Sequence, residues 1–125
     1  MKTRYIAALS VLAGAAVGAA AIQGLHAQTK KAYTVTELQV LDAKLAADFA
    51  GRAVTAQAAA GGRNLKTGGG KVVAMEGTAP DRVAIVEWES ADKAQAFFKS
   101  KAWTDLKPDF DKSLKTVRRY QVEER

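Results

Sequence analysis

The chain contains no cysteine and one histidine, His26. Without cysteine there is no disulfide framework and no thiol nucleophile. The single histidine falls within a leader-like N-terminal segment, so Ser90, Ser100 and Ser113 have no histidine to serve as their general base. Zinc, copper and iron–sulfur centres lose their usual ligands, and haem loses its commonest axial ligands. The reading is therefore of a domain without metal or other cofactor. Long stretches of one charge are also missing: Lys107-Pro108-Asp109-Phe110-Asp111-Lys112 shows how acids and bases alternate. A nucleic-acid footprint needs a one-sided basic stripe, and this pattern describes a mixed solvated surface instead.

What the sequence does have begins at its N-terminus. Lys2 and Arg4 precede an uncharged run from Tyr5 to Ile22, and Gln23 to Ala27 ends that run with a small residue. This is the n-region, h-region and cut-site order of an export signal, which predicts removal of residues 1–27 and a mature chain starting at Gln28. The length also suits an uncleaved anchor. The many Ala and Gly residues make the run only weakly hydrophobic, however, and favour cleavage. Lys2 and Arg4 are not adjacent, which argues against a twin-arginine route. The expected location is periplasmic or secreted, with no membrane attachment after cleavage. Removing Lys2 and Arg4 from 19 basic residues leaves 17 against 13 acidic ones, a mature charge of +4.

Residues 28–125 are one domain's worth of chain, close to the size at which a single core suffices without staples. Ala32 to Val40 is rich in strand formers, with Glu37 and Gln39 on the parity of Tyr33 and Val35. Asp42 suits the N-cap of a long Ala-rich helix to about Ala60, in which Leu41, Leu45 and Phe49 recur every four residues. Gly61-Gly62 supplies its left-handed stop, and Gly68-Gly69-Gly70 forms a turn before a second strand over Lys71–Glu76. Arg82 to Glu89 is the strongest strand. Ser90 caps a second helix, with Ala94, Phe97 and Phe98 buried and the stripe continued by Trp103 and Leu106 after a break near Ser100. Pro108 is expected to limit that helix, and Thr116 to Val122 returns as the last strand.

The order β-α-β-β-α-β in so short a domain predicts an α+β, ferredoxin-like sandwich: an antiparallel sheet with both helices on one face. Along the third strand both alternating sets contain apolar residues. The face away from the helices then stays apolar, and a second copy of the chain is the most economical cover for it.

Ala32-Tyr33, Gly61-Gly62-Arg63, Met75-Glu76-Gly77, Val86-Glu87-Trp88 with Ser90, Ala94 to Phe98 with Ser100, and Val122-Glu123 stand in order along the chain. Together they resemble domain-of-unknown-function family thirteen-thirty, within the dimeric α+β barrel superfamily. The resemblance spans Ala32 to Glu124. It implies a homodimer whose two sheets face each other around a cavity. It departs at Ser100-Lys101-Ala102-Trp103, where members often carry Ser-Pro-Glu-Tyr, and at Phe110, which stands where Arg is frequent. The family has no general assigned activity.

Candidate functional residues are few. If Trp88 packs beneath the helices, Glu87 turns to the opposite face, and Glu37 joins it if Leu38 does the same. The pair then has two readings. One is an acid–base or proton-relay pair, and the other is a set of ion pairs that anchor Arg63 or Arg119, bridge a dimer interface or lie at a wet rim. Arg63 suits an anionic ligand or the free carbonyls of the preceding helix end. Arg118-Arg119 also suits the plain task of keeping an edge strand soluble. Trp88, Phe97, Phe98 and Trp103 have core spacing before they have the spacing of a ligand wall. Thr67-Gly68-Gly69-Gly70-Lys71 lacks the hydroxyl residue after Lys and the following helix of a phosphate loop, so it reads as a hairpin turn.

The leading functional expectation is an exported homodimeric domain that binds a small, partly apolar molecule in the dimer cavity without metal. The alternatives are a cofactor-independent monooxygenase- or isomerase-like enzyme working through its carboxylates, and a purely structural or interaction module.

Overall fold

A computed structural model describes residues 30–125. The export-signal reading concerns residues 1–27 and lies outside the described residues. Strand β1 spans Ala32–Val40 and helix α1 Ala43–Ala59. Strands β2 and β3 follow at Gly62–Asn64 and Arg82–Trp88. Helices α2 and α3 occupy Ala91–Phe98 and Lys101–Ser113, and β4 closes the chain at Leu114–Glu123. The four strands form one antiparallel sheet in the order β2-β3-β1-β4. This is the ferredoxin-like α+β arrangement expected from the sequence.

Local chemistry sets the helix ends. Asp42 accepts a hydrogen bond from the amide of Leu45, Ser90 from that of Lys93 and Ser100 from that of Trp103. Gly61, with φ of 91°, carries the chain out of α1 in the left-handed region that glycine tolerates. Gly62 has a different role: a Cβ there would stand 2.8 Å from the Trp88 ring, so the absence of a side chain lets β2 lie against that indole.

Trp88 is fully buried on the helix face, donating its indole N–H to Thr34 Oγ1 at 2.9 Å and packing on Phe97 and Phe98. Leu38, Val86, Phe49, Trp103, Leu106 and Phe110 complete the core around it. Phe49 meets Trp103 and Phe110 edge-on and ties α1 to α3.

Three expectations are corrected. Lys71–Glu76 is not a strand. The edge position beside β3 is taken by Gly62–Asn64, extended by the Leu65 amide bonding Ile85 O at 2.9 Å. Strand propensity without a free ladder to join has no hydrogen bonds to make, so Val73 and Met75 stand exposed in a long connection and the glycine turn bends that connection. Pro108 does not limit the last helix, which runs on to Ser113. The missing Pro108 amide removes one bond to the carbonyl four residues back. The burial of Trp103 and Leu106 before it and Phe110 after it holds the helix together across that gap. Finally, Leu41 and Leu45 are exposed. The buried stripe of α1 is Ala46, Phe49, Ala53 and Gln57, rotated away from the leucines.

Candidate functional site

The sheet has a helix side and an open side, and the sequence candidates divide between them. On the open side, Glu87 stands opposite Tyr33 of β1 and Arg63 of β2. The Arg63 guanidinium and the Lys31 ammonium both donate to its carboxylate, Lys31 at 2.6 Å. Those two hydrogen bonds, Lys31 first, outweigh desolvation and hold the Glu87 pKa below the usual carboxylate range. The same contacts raise the pKa of Lys31 and Arg63.

Glu37 shares this side of the sheet but has its own partner. Arg118 lies directly opposite on β4 and donates through Nε at 3.1 Å and a terminal nitrogen at 2.6 Å, a fork that grips both carboxylate oxygens. Between the two ion-paired ends the face is apolar, made by Val35, Val83 and Ile85 with the exposed Tyr120 and Val122 beyond them.

The structure therefore joins Arg63 to Glu87, but it does not bring Glu37 and Glu87 onto one shared partner. Arg119 is separated from both. It projects to the helix side, donates through Nε to Thr36 Oγ1 at 3.0 Å and lies over the Phe98, Trp103 and Phe110 rings. Sequence reasoning missed Lys31 and Arg118 as partners of the carboxylates. Parity gave a signal only when counted back from the end of the strand, where Arg118 has the phase of Tyr120 and Val122; counted forward from Leu114 it puts Arg118 on the other face.

Two clefts adjoin these groups. One, of about 400 Å³, is lined by Lys31, Arg63 and Glu87 together with Gly62 and Trp88. The other, of about 360 Å³, opens between α2 and β4 over Ala94, Phe98, Arg119 and Gln121. Lys31 and Arg63 are fixed donors, so Glu87 is held as an acceptor rather than as a group free to trade protons. Among the described residues no three His, Asp or Glu side chains converge as a metal site.

The fold and the paired open face define a small antiparallel α+β domain of the ferredoxin-like type. Residues 31–119 match the family described as a domain of unknown function, DUF1330, and the chain belongs to that family. A solved structure with the same fold is the RPA0582 protein of unknown function from Rhodopseudomonas palustris, a structural genomics target. It superposes with a TM-score of 0.63 at 10% identity, covering 83% of this chain and 92% of that one. A search of curated proteins gave no match.

Proposed function

We propose that this is an exported domain that dimerises through the open face of its sheet and binds a small, partly apolar molecule without metal. The observation that carries the reading is the state of that face. Val35, Val83 and Ile85 form an apolar centre, and the carboxylates at its two ends are neutralised by cations of the same chain. An unpaired buried carboxylate would oppose association, because water would be removed from a charge with no counter-charge. Pairing within the chain removes that obstacle, so two such faces can meet without a new ion pair. The same pairing weighs against the acid–base alternative, since a carboxylate held ionised by Lys31 and Arg63 is a poor proton donor near neutral pH. The cleft between α2 and β4 lies within each chain, away from the open face, so a ligand has space that dimerisation would not fill.

Ile85→Glu tests the association. It sets a carboxylate in the middle of the apolar stripe while leaving the helix-side core untouched. Sedimentation of the wild type should give twice the chain mass and the variant a monomer; a soluble variant that stays dimeric would place the interface elsewhere. Export is checked separately by N-terminal sequencing of protein recovered from the periplasm, which should begin at Gln28. A retained Met1 in the membrane fraction would contradict cleavage.

A further inference from the structure

Arg119 differs from Arg63 and Arg118, which are each closed onto a carboxylate: no acidic side chain pairs with Arg119 among the described residues, and its guanidinium lies among aromatic rings instead. Its guanidinium lies 4.4 Å from the centre of the Phe98 ring, 5.0 Å from that of Trp103 and 5.8 Å from that of Phe110. Burial among these rings draws its pKa down from the usual arginine value, yet guanidinium stays charged at any physiological pH. Nε is spent on Thr36, which fixes the plane of the fork and leaves the terminal nitrogens without a protein acceptor. A partly desolvated cation in that state lacks the counter-charge that normally accompanies burial.

Arg119 also lines a cleft, which shares with the guanidinium's surroundings the Phe98 ring. The space of about 360 Å³ between α2 and the edge strand β4 has Arg119 in its wall, with Phe98 as its apolar surface, the buried Ala94 beneath, and Gln95, Lys99 and Gln121 also lining it. That volume lies in the range of small-molecule sites, where an apolar lining and a few fixed polar groups set orientation. Arginine presents a planar pair of donors that matches a carboxylate bidentately.

We propose that this cleft is a binding site for a small carboxylate with an apolar body, the carboxylate meeting the Arg119 guanidinium and the body lying on the Phe98 ring. The proposal rests on the reading of the chain as a small-molecule binder and names the site and the ligand class. A single internal cation with Lys99 at the rim suits a monoanion better than a phosphate dianion, and the apolar wall gives a bare inorganic anion nothing to pack on. The site is complete within one chain and does not depend on the dimer.

Calorimetric titration tests it, using protein purified after expression of the full chain and benzoate, benzamide and inorganic phosphate as probes. Benzoate should bind at least about tenfold more tightly than benzamide or phosphate, the scale of a charge-assisted hydrogen bond. Arg119→Met keeps an unbranched apolar stem under the rings and should weaken benzoate by about tenfold or more. Should that variant fail to fold, Gln121→Glu decides the matter. It places a carboxylate two residues along the same face of β4, where it competes for Arg119 from within, and it should weaken benzoate while leaving benzamide unchanged. Equal binding of benzoate and benzamide overturns the carboxylate assignment and leaves the small-molecule reading standing. Phosphate binding as tight as benzoate overturns the apolar body. Absence of binding by all three probes overturns the site while leaving the wider binder reading to other ligands, and benzoate binding untouched in Gln121→Glu moves the site away from Arg119.

Discussion

The two faces of the sheet handle positive charge in opposite ways. On the open face Arg63 and Arg118 each meet a glutamate of the same chain, so the face is close to neutral and its centre is apolar. On the helix face Arg119 meets rings and a threonine hydroxyl. Neighbouring residues of one strand, Arg118 and Arg119, thus have different electrostatic tasks because strand geometry sends them to opposite sides. A charge neutralised from within suits a surface that must lose water against a large partner. A charge left without an acid beside a cleft suits a ligand that brings its own.

The largest way to break this contrast is to remove the side chain that separates the faces. Trp88 is fully buried and carries Phe97, Phe98 and the Thr34 hydrogen bond on the helix side, while its neighbour Glu87 points the other way. Trp88→Ala should cost about 3–5 kcal/mol in chemical denaturation, the range for emptying a large aromatic site. Collapse of the cavity would lower that figure; a loss below about 1 kcal/mol would mean that the ring is not the keystone of the helix face.

The paired face yields a smaller effect with a definite sign. The folded pKa of Glu87 is lowered, so its contribution to stability is complete above the ordinary value of 4.5 and is lost as pH falls through the depressed folded value. Glu87→Gln should therefore melt below the wild type at neutral pH, and the gap in Tm should close as the solution is acidified below that ordinary value. A gap that stays constant across the acid range would show that shape, not charge, is what Glu87 supplies.

How much of this was legible in the sequence depends on how local the cause was. The caps at Asp42 and Ser90, the glycine stop at Gly61 and the span of β1 follow from neighbouring residues, and all were readable; at Ser100 only the break was read, not the cap of a separate helix. The side on which Glu87 lies was readable too, because Trp88 beside it is too large and apolar to stay in water. The edge strand was not. Lys71–Glu76 has better strand composition than Gly62–Asn64, but the place beside β3 is decided by chain reach from α1 and by the fit of Gly62 against Trp88, which are long-range facts. The arginine partners were hidden for a related reason. Val117 is an extra residue where the β1–β4 register shifts between Glu37 and Leu38, so counting back from the end of the strand and counting forward from Leu114 give opposite faces for Arg118 and Arg119.

The smallest expected effect sharpens the comparison from the helix side alone. Ser100 joins α2 to α3: its hydroxyl donates to Phe97 O at 2.6 Å and accepts from the Trp103 amide at 3.3 Å. Trp103 and Phe110, both on α3, are two of the three rings around Arg119, so the cap helps to set the wall against which that cation rests. Ser100→Ala removes both bonds and should cost about 1 kcal/mol, the usual value for losing a helix cap. Ser100 bonds only within the α2–α3 junction, so the mass of the proposed dimer and the acid dependence traced to Glu87 should be unchanged. The indole environment of Trp103 should shift, seen as altered tryptophan fluorescence. A change in dimer mass with no change in fluorescence would reverse the assignment, tying this cap to the open face rather than to the ring wall.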